Sequence, residues 1–245
     1  SPIYGATVTA SKTEFSKIID AVDDLRCKAF FGILAEAGLR SGEAGNMKIR
    51  DCENTSYGYL LTVSGKTGTR TVPIVQFAPA LRQWLNFHPS KHDENAPLWV
   101  QKTVCGYKQK KINSSTMNAI LRKYCNRAGV YRWKTVVDKK TGETKKENAI
   151  TLHYLRHSKV TWTATNKLRE VNIVLANDMF GWSKASTTYA RYTHITGKDR
   201  VDAFLELAGS KKVERKEEED VLRPRKCLGC GMENSIGSLY CVACG

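Results

Sequence analysis

The sequence predicts a mainly α-helical α+β fold with small β-hairpins, followed by a small zinc-ribbon-like module. Helix-capping residues stand directly before stretches whose apolar residues recur every three or four positions. Glycine-bounded turns separate short β-branched arms, as is typical of hairpins. Two Cys-x-x-Cys pairs stand near the end of the chain. The 245 residues suffice for one sizeable domain or two modest ones.

The N-terminal part of the sequence predicts two helices. Ser11 and Glu14 form a capping box, in which each side chain can accept a backbone N–H at the start of a helix. The helix after them should extend through Val22 with an apolar buried face. A second helix over residues 25–37 should end at Gly38, because glycine favours the left-handed backbone of a helix end.

An arginine follows this second helix directly. Arg40 lies two residues after Gly38, in a short segment that joins two helical stretches. A guanidinium in that position is easily held rigid and can project from the end of the helix. The alternative is a surface arginine that pairs with Glu43.

Residues 59–74 predict a β-hairpin. Two β-branched arms flank the turn Gly65-Lys66-Thr67-Gly68. Lys66 and Arg70 stand near its tip, where a basic side chain can reach a ligand. A solvated turn lysine is the alternative for Lys66.

Three further elements follow. An amphipathic helix spans residues 77–87. Asn113 caps a helix that runs to Arg127. Residues 131–150 predict a second hairpin, rich in lysine, that either presses on a nucleic-acid backbone or stays solvated.

The next part of the chain predicts two helices around a possible binding site. His153 and Arg156 stand three residues apart at the start of one helix, so they share a face and can address one ligand. A helix over residues 170–180 leads into an aromatic-rich segment at residues 180–194. Residues 199–208 predict an amphipathic helix that packs either within its own domain or on a neighbouring subunit.

The charge of the chain points to a polyanionic partner. Lys and Arg outnumber Asp and Glu by 39 to 24, which gives a net charge of +15. Residues 102–147 alone hold thirteen basic and three acidic residues, with aromatic residues between them. A solvated basic face is the alternative to a nucleic-acid surface. The candidate DNA-binding residues are Lys108, Lys110, Lys111, Arg122, Lys123, Arg127 and, at the first hairpin, Arg70.

The eight cysteines favour a metal site over disulfides. Four are scattered singly, whereas Cys227, Cys230, Cys241 and Cys244 form two glycine-flanked pairs with the spacing of metal ligands. Four thiolates complete a closed structural Zn²⁺ site, which would supply the folding free energy of so short a module. Redox use of the pairs is the weaker alternative. Reduced cysteines, and the lack of a signal-like or membrane-spanning stretch in the sequence, predict an intracellular protein of the cytoplasm or nucleoid.

Six residues taken together resemble a known family. Their order is that of the tyrosine recombinase (integrase) family, including archaeal viral and plasmid integrases, over about residues 9–208. The family's two arginine boxes are similar to the segments at residues 37–43 and 153–158, and its catalytic lysine to the Ser-Gly-Lys of the hairpin. Its nucleophile segment is similar to residues 181–194. The six residues are Arg40, Lys66, His153, Arg156, Trp182 and Tyr192.

The resemblance implies a role for each residue in DNA strand cleavage. Tyr192 would be the nucleophile that forms a 3′-phosphotyrosyl link, and the two arginines would bind the phosphate oxygens. His153 would assist deprotonation, Lys66 would protonate the 5′ oxygen, and Trp182 would donate to a phosphate oxygen. Tyr189 is the alternative nucleophile, and the Arg191 directly before Tyr192 favours Tyr192.

The resemblance also sets expectations for organisation and partners. We expect a catalytic domain at residues 1–208, a charged linker at 209–226 and the zinc module at 227–245, with the family's N-terminal core-binding domain absent from this chain. Double-stranded DNA and a homotetramer are the implied partners, without a membrane, and neither metal nor ATP is implied for the reaction. The function would be integration or excision of a mobile element. The alternatives are DNA relaxation like that of a type IB topoisomerase, or a non-catalytic DNA-binding architectural or regulatory protein.

Overall fold

The computed structural model describes residues 9–137, 142–166, 172–191, 205, 208, 221–238 and 240–245. Its helices are α1 (Lys12–Asp20), α2 (Leu25–Ala37), α3 (Ser41–Gly45), α4 (Ala78–Phe87), α5 (Ser114–Arg127), α6 (Leu152–Asn166) and α7 (Ile173–Met179). Its strands are β1 (Cys52–Thr55), β2 (Gly58–Gly65), β3 (Gly68–Ile74), β4 (Val100–Thr103), β5 (Gly106–Lys111), β6 (Trp133–Val137), β7 (Thr144–Asn148), β8 (Arg225–Lys226) and β9 (Glu233–Asn234). The predicted mixed α+β architecture is confirmed. No helix in the described ranges is both long and apolar enough to cross a bilayer.

Helix α2 lies at the centre of the core. Nearly all of its side chains are buried, and it packs against α4 and α6. The ring of Phe30 meets the indole of Trp99 edge to face, with 5.0 Å between the ring centroids. At Gly32 the ring of Phe77 approaches so closely that a Cβ would lie 2.1 Å from it. The helix ends as predicted at Gly38, which has a left-handed backbone with φ of 61°.

The helix caps predicted from the sequence are present. Ser11 Oγ accepts from the backbone N–H of Glu14 at 3.1 Å, and the Glu14 carboxylate accepts from the N–H of Ser11 at 3.0 Å. Helix α1 ends two residues before the expected Val22, which is nevertheless buried. Asn113 Oδ1 accepts from the N–H of Thr116 at 2.7 Å at the start of α5.

The hairpin predicted at residues 59–74 is present as β2 and β3. Gly65 and Gly68 face each other in the antiparallel register, which leaves residues 66–67 at the tip. Strand β1, which the sequence pattern did not predict, extends this hairpin to three strands in the order β1-β2-β3. The tip therefore projects from a sheet rather than from an isolated hairpin.

A half-buried glutamate ties the end of this sheet to the core. The carboxylate of Glu36 on α2 accepts the backbone N–H groups of Val75, Gln76 and Phe77 at 2.7 to 2.9 Å. Burial raises the pKa of Glu36, and the three hydrogen bonds oppose that rise. These bonds fix the connection between β3 and α4.

Two more hairpins lie in the basic part of the chain. Strands β4 and β5 form one that the sequence pattern did not predict, and β6 and β7 confirm the one predicted at residues 131–150. The prediction that the next helix spans residues 170–180 was wrong at its start. Asn172 has an extended backbone and caps the helix by accepting the N–H of Leu175 at 2.8 Å, so α7 begins at Ile173.

The C-terminal residues 221–245, called here the cysteine module, pack on the main domain. Leu222 and Ile236 are buried in the same apolar cluster as the α2 core. Lys28 Nζ on α2 donates to the carbonyl oxygen of Gly237 at 3.0 Å. The module thus completes the core of the main domain, and β8 begins before the predicted boundary at residue 227. The predicted linker at residues 209–226 lies mostly outside the described residues.

Candidate active site and cysteine cluster

The turn between α7 and the aromatic-rich segment is held by hydrogen bonds from three elements. The carbonyl oxygen of Gly181 accepts from Arg40 Nη2 and from Thr67 Oγ1, both at 2.9 Å. The carbonyl oxygen of Phe180 accepts from Arg156 Nη2 at 2.7 Å. The predicted residues Arg40 and Arg156 therefore meet at one turn, although 116 positions separate them in the sequence.

Arg40 is oriented by a buried carboxylate. It precedes α3, and its Nη1 donates to Glu43 Oε1 at 2.6 Å while its backbone N–H donates to Glu43 Oε2 at 3.0 Å. The side chain of Arg40 is 33% exposed, whereas that of Glu43 is 3% exposed. The alternative pairing of Arg40 with Glu43 is thus present, and it aims the guanidinium at the Gly181 turn.

Arg70 shares the same carboxylate. Its two terminal nitrogens donate to the two oxygens of Glu43 at 3.4 and 3.0 Å. Burial alone would raise the pKa of Glu43, but the hydrogen bonds from Arg70 and Arg40 outweigh burial and hold this pKa below its usual value. Only 11% of the Arg70 side chain is exposed. The structure places Arg70 beside Glu43 and Gly181, and the DNA contact expected of it stays a prediction.

Arg156 lies deeper than Arg40. Only 3% of it is exposed, and its Nη1 donates to the carbonyl oxygen of Gly38 at 2.6 Å. Its guanidinium carbon lies 5.5 Å from the centre of the Trp182 ring and 6.0 Å from that of Phe180. We call Arg40, Glu43, Arg70 and Arg156 the arginine clamp. It joins the end of α2, the first sheet, α6 and the Gly181 turn.

His153 stands at the exposed rim of this clamp. Local burial lowers its pKa, and the positive charges of Arg156 and Arg40 lower it further. Its ring meets that of His157 edge to face, with 4.2 Å between the ring centroids. Burial is the main cause that lowers the pKa of His157, and the charges of His153 and Arg156 lower it further, to about 4. Both rings are therefore neutral at neutral pH, and His153 can accept a proton there.

Lys66 lies at the exposed tip of the first hairpin. Its neighbour Thr67 holds that tip against the Gly181 carbonyl, so the backbone of Lys66 lies close to the clamp. The sequence pattern did not identify Thr67 or the clamp role of Glu43. A carboxylate three residues after Arg40 was the available signal for Glu43, whereas nothing in the sequence marks Thr67.

Of the two candidate tyrosines, the described residues include only Tyr189. Tyr189 lies in a short 3-10 turn and is buried against Val160, Ala176 and Phe180. Burial raises its pKa, and its hydroxyl has no hydrogen-bond partner among the described residues. Tyr192 lies outside the described residues. The half-buried Trp182 packs against Phe180 and Tyr189, which places it beside the clamp.

Apart from Arg70, the predicted DNA-binding residues fall on β5 and α5. Most are exposed, and Arg122 is partly buried. Two of them have polar partners: Lys111 Nζ donates to Asn46, and Arg127 pairs with Asp23 at 2.6 Å. The exposed ones are Lys108, Lys110, Lys111, Lys123 and Arg127.

The four C-terminal cysteines converge as their spacing predicts. Their sulfur atoms all lie within 4.8 Å of one another, with 3.6 Å between Cys227 and Cys244 and 3.5 Å between Cys230 and Cys241. A tetrahedral zinc ion with Zn–S bonds of about 2.3 Å would need sulfur separations of roughly 3.8 Å. The cluster therefore fits such an ion.

Backbone amides at the cluster favour thiolates. The backbone N–H groups of Ala243 and Cys244 lower the pKa of Cys241 to about 6, and those of Cys230 and Gly229 lower the pKa of Cys227. Cys230 and Cys244 differ. The neighbouring cysteines raise the pKa of Cys244 to about 12, and the pKa of Cys230 is raised despite the backbone N–H of Met232, which lowers it. Four sulfurs packed this closely repel one another as anions, which a bound cation would relieve.

Known proteins are similar to this chain in sequence and fold. The chain is 29% identical over 196 residues to the tyrosine recombinase XerA of Pyrococcus horikoshii, a match that covers 79% of this chain and 59% of that protein. The crystal structure of XerA recombinase superposes with a TM-score of 0.60 at 22% identity, over 84% of this chain and 65% of the other. That of XerH site-specific recombinase bound to its difH substrate gives 0.57 at 23% identity, over 79% and 51%.

A third structure and a family model agree with these matches. The Tn1549 transposon integrase in complex with transposon right end DNA superposes with a TM-score of 0.59 at 16% identity, over 84% of this chain and 67% of the other. At such identities the structural likenesses establish the fold. The model of the phage integrase family matches residues 9–198. Since that match spans most of the chain, the protein belongs to the phage integrase family of tyrosine recombinases.

Proposed function

We propose that the protein is a site-specific DNA recombinase that cleaves and rejoins DNA through a 3′-phosphotyrosyl intermediate and so integrates or excises a mobile element. The observation that carries the proposal is the arginine clamp, in which Arg40 and Arg156 converge on the turn that leads to Tyr192. Membership of the tyrosine recombinase family supports it. The chain spans 59% of the curated relative it matches, so its activity and partners are part of the proposal.

The clamp suits a phosphate in its transition state. Attack on a phosphodiester gathers negative charge on the non-bridging oxygens, and guanidinium groups bind such oxygens through parallel N–H donors. Arg40 uses two of its five N–H donors in the contacts described, and a third of its side chain is exposed. Arg156 is buried and donates to two backbone carbonyl oxygens. To bind a phosphate, it would break one of these hydrogen bonds and donate to a phosphate oxygen instead.

The proposed reaction moves two protons and conserves the bond energy. The Tyr192 oxygen forms a bond to phosphorus while the bond to the 5′ oxygen breaks. His153, neutral at neutral pH, takes or relays the phenol proton, and Lys66 gives a proton to the 5′ oxygen. The phosphotyrosyl ester keeps the energy of the broken bond. Rejoining therefore requires neither ATP nor a catalytic metal.

Tyr192 remains the proposed nucleophile in preference to Tyr189. The ring of Tyr189 is buried in an apolar cluster, and burial raises the pKa of its hydroxyl. Both effects oppose attack on a charged phosphate. Trp182 would hold the site and donate its indole N–H to a phosphate oxygen.

Double-stranded DNA and further copies of the chain are the proposed partners. The exposed lysines of β5 and α5 supply charge for a DNA backbone. XerH is bound to its difH substrate, and lambda integrase has been solved as a tetramer bound to a Holliday junction. Helix α7 exposes apolar side chains that a neighbouring copy would cover in such an assembly: Ile173, Val174, Leu175 and Met179.

We also propose a structural Zn²⁺ bound by Cys227, Cys230, Cys241 and Cys244. The sulfur separations and the amide hydrogen bonds to Cys227 and Cys241 support it. Four thiolates leave no open coordination position, so the metal would hold the fold of the cysteine module. Its packing on α2 suggests that the metal also supports the main domain.

A trapping experiment tests the proposed reaction. A pool of nicked duplexes of randomised sequence lets the cleaved strand end diffuse away, so a covalent protein–DNA adduct accumulates and can be sequenced. We expect an adduct from the unchanged chain and from Tyr189→Phe, and none from Tyr192→Phe. An adduct that persists in Tyr192→Phe overturns the assignment of Tyr192 as the nucleophile. Relaxation of a supercoiled plasmid without sequence preference would favour a topoisomerase.

A further inference from the structure

Two exposed aromatic rings are stacked at the base of the lysine-rich hairpin. Tyr131 and Trp133 lie nearly parallel, with 5.1 Å between ring centroids and 8° between planes. They are 40% and 60% exposed. Because Tyr131 covers one face of the indole, much of the exposed area of Trp133 belongs to its other face and edges. This stack presents a flat apolar surface to solvent, which is unusual for two neighbouring large side chains.

Hydrogen bonds fix the Tyr131 ring and the backbone between the two rings. The hydroxyl of Tyr131 donates to the carbonyl oxygen of Asn126 at 3.0 Å. The residue between the rings, Arg132, donates its backbone N–H to Asn148 Oδ1 at 3.2 Å and pairs with Glu14 at 2.6 Å. A preformed surface loses little conformational entropy on binding a ligand.

Exposed basic side chains lie on the two elements that adjoin the stack. Lys123 and Arg127 are exposed on α5, and Lys146 is exposed on β7. An aromatic surface within a basic one is the arrangement that binds nucleic acid with unpaired bases, because charge holds the backbone and the ring stacks on a base. This charge favours a nucleic acid over a second copy of the basic chain.

The stack lies close to the candidate active site along the chain. Trp133 pairs with Asn148 across the hairpin, and His153 follows five residues later. Five residues span at most about 18 Å, and paired strands lie about 5 Å apart, so His153 lies within about 23 Å of Trp133. At about 3.4 Å per nucleotide step, that distance corresponds to at most about seven base pairs of one DNA.

We propose that the Tyr131–Trp133 stack receives an unpaired base of the DNA beside the cleavage site. This rests on the proposed function, since strand cleavage frees an end whose last nucleotides can separate from their partners. In an intact duplex each internal base is stacked on both faces, so no base face is free to stack on the indole. The stack therefore discriminates opened DNA from paired DNA.

Binding measurements with two probes test the proposal. One probe is a fully paired duplex, and the other has the same sequence with a short mismatched bubble. We expect Trp133→Ala to weaken binding to the bubble by about fivefold to a hundredfold, since one stacked base contributes that much, and to leave duplex binding within about twofold. Trp133→Phe, which keeps an aromatic ring, should recover most of the loss.

A lysine variant supplies the matched control. Lys123→Ala should weaken both probes equally and reduce the dependence of log affinity on log salt by about 0.9, as loss of one phosphate contact does. Trp133→Ala should leave that slope unchanged. Equal weakening of both probes by Trp133→Ala, with a reduced slope, overturns the stacking role.

The outcomes separate this inference from the proposed reaction. Both probes measure binding and need no cleavage. An adduct at Tyr192 together with unchanged bubble binding in Trp133→Ala sinks the stacking role alone. Selective loss of bubble binding without any adduct removes the proposed reaction and keeps the stack. If Trp133→Ala changes the oligomeric state but not DNA affinity, the surface contacts protein and the inference is wrong.

Discussion

The arginine clamp and the cysteine module are built in opposite ways. The clamp gathers side chains that stand far apart in the sequence and binds them to backbone carbonyls, so its geometry depends on the whole fold. The four cysteines lie within eighteen positions of one another, and their convergence depends on two local turns. We infer that the clamp fails when packing fails, whereas the module fails when its ligands or metal are removed.

Metal removal should have the largest effect on the module. Structural zinc contributes about 10–16 kcal/mol of apparent binding free energy in small metal-dependent folds, and Cys230→Ser or chelation removes it. We expect loss of bound zinc and rapid proteolysis within residues 221–245. Zinc content and limited proteolysis measure this.

The exposed Cys105 offers a matched control, because it lies outside the cluster. Cys105→Ser should keep both the zinc and the protease resistance. Retention of a protease-resistant module in metal-free protein would contradict the proposed structural role of the metal.

Loss of a buried arginine of the clamp should have the second largest effect. Arg156→Ala removes the donors to the carbonyl oxygens of Gly38 and Phe180, and each unsatisfied buried acceptor costs about 1–3 kcal/mol. We expect a lower free energy of unfolding in urea, and adduct formation slower by about a hundredfold to a thousandfold. Arg50→Ala is the control, since its partner Asn95 is on the surface. Equal effects of the two variants would count against the clamp.

Neutralising Glu43 should have a smaller effect that depends on pH. Glu43→Gln keeps the shape but removes the charge that pairs with Arg40 and Arg70, at a cost of about 1–3 kcal/mol. Because the folded state lowers the pKa of Glu43, its contribution is present above the unfolded pKa and is lost as pH falls through the folded pKa. Urea unfolding at several pH values should show the difference shrinking below about pH 4.5. If the difference in unfolding free energy between the two proteins does not change with pH, the charge of Glu43 is not its cause.

The smallest expected effect is on the titration of His153. Arg40 is one of the charges that lower its pKa, so Arg40→Gln should raise that pKa, as NMR of the imidazole resonances would measure. The pKa of His157 is lowered by burial, His153 and Arg156, so it should move less. Equal movement of both resonances would indicate a general rearrangement instead.

The contrast between local and distant contacts also explains which features the sequence could predict. Caps, turns and ligand spacing depend on residues a few positions apart, so α1, α2, α5, the first hairpin and the cysteine cluster follow from local patterns. Strand β1 was missed because residues Cys52–Thr55 show no alternation of apolar and polar side chains. Of the clamp residues, only Arg40 and Arg156 were assigned to one site, and that assignment came from the joint resemblance to a family. Their contacts with the carbonyls of Gly38, Phe180 and Gly181 are not encoded by any spacing.

The contact between Lys28 and Gly237 has a consequence for folding during synthesis. The two residues are 209 positions apart, and Leu222 and Ile236 cover part of the core that α2 organises. A ribosome that adds about 5–20 residues per second needs roughly ten to forty seconds for that interval. Throughout it, the apolar surface awaiting Leu222 and Ile236 stays uncovered. Until residues 222–237 emerge, the nascent chain presents an apolar surface to which a chaperone or another nascent chain can bind.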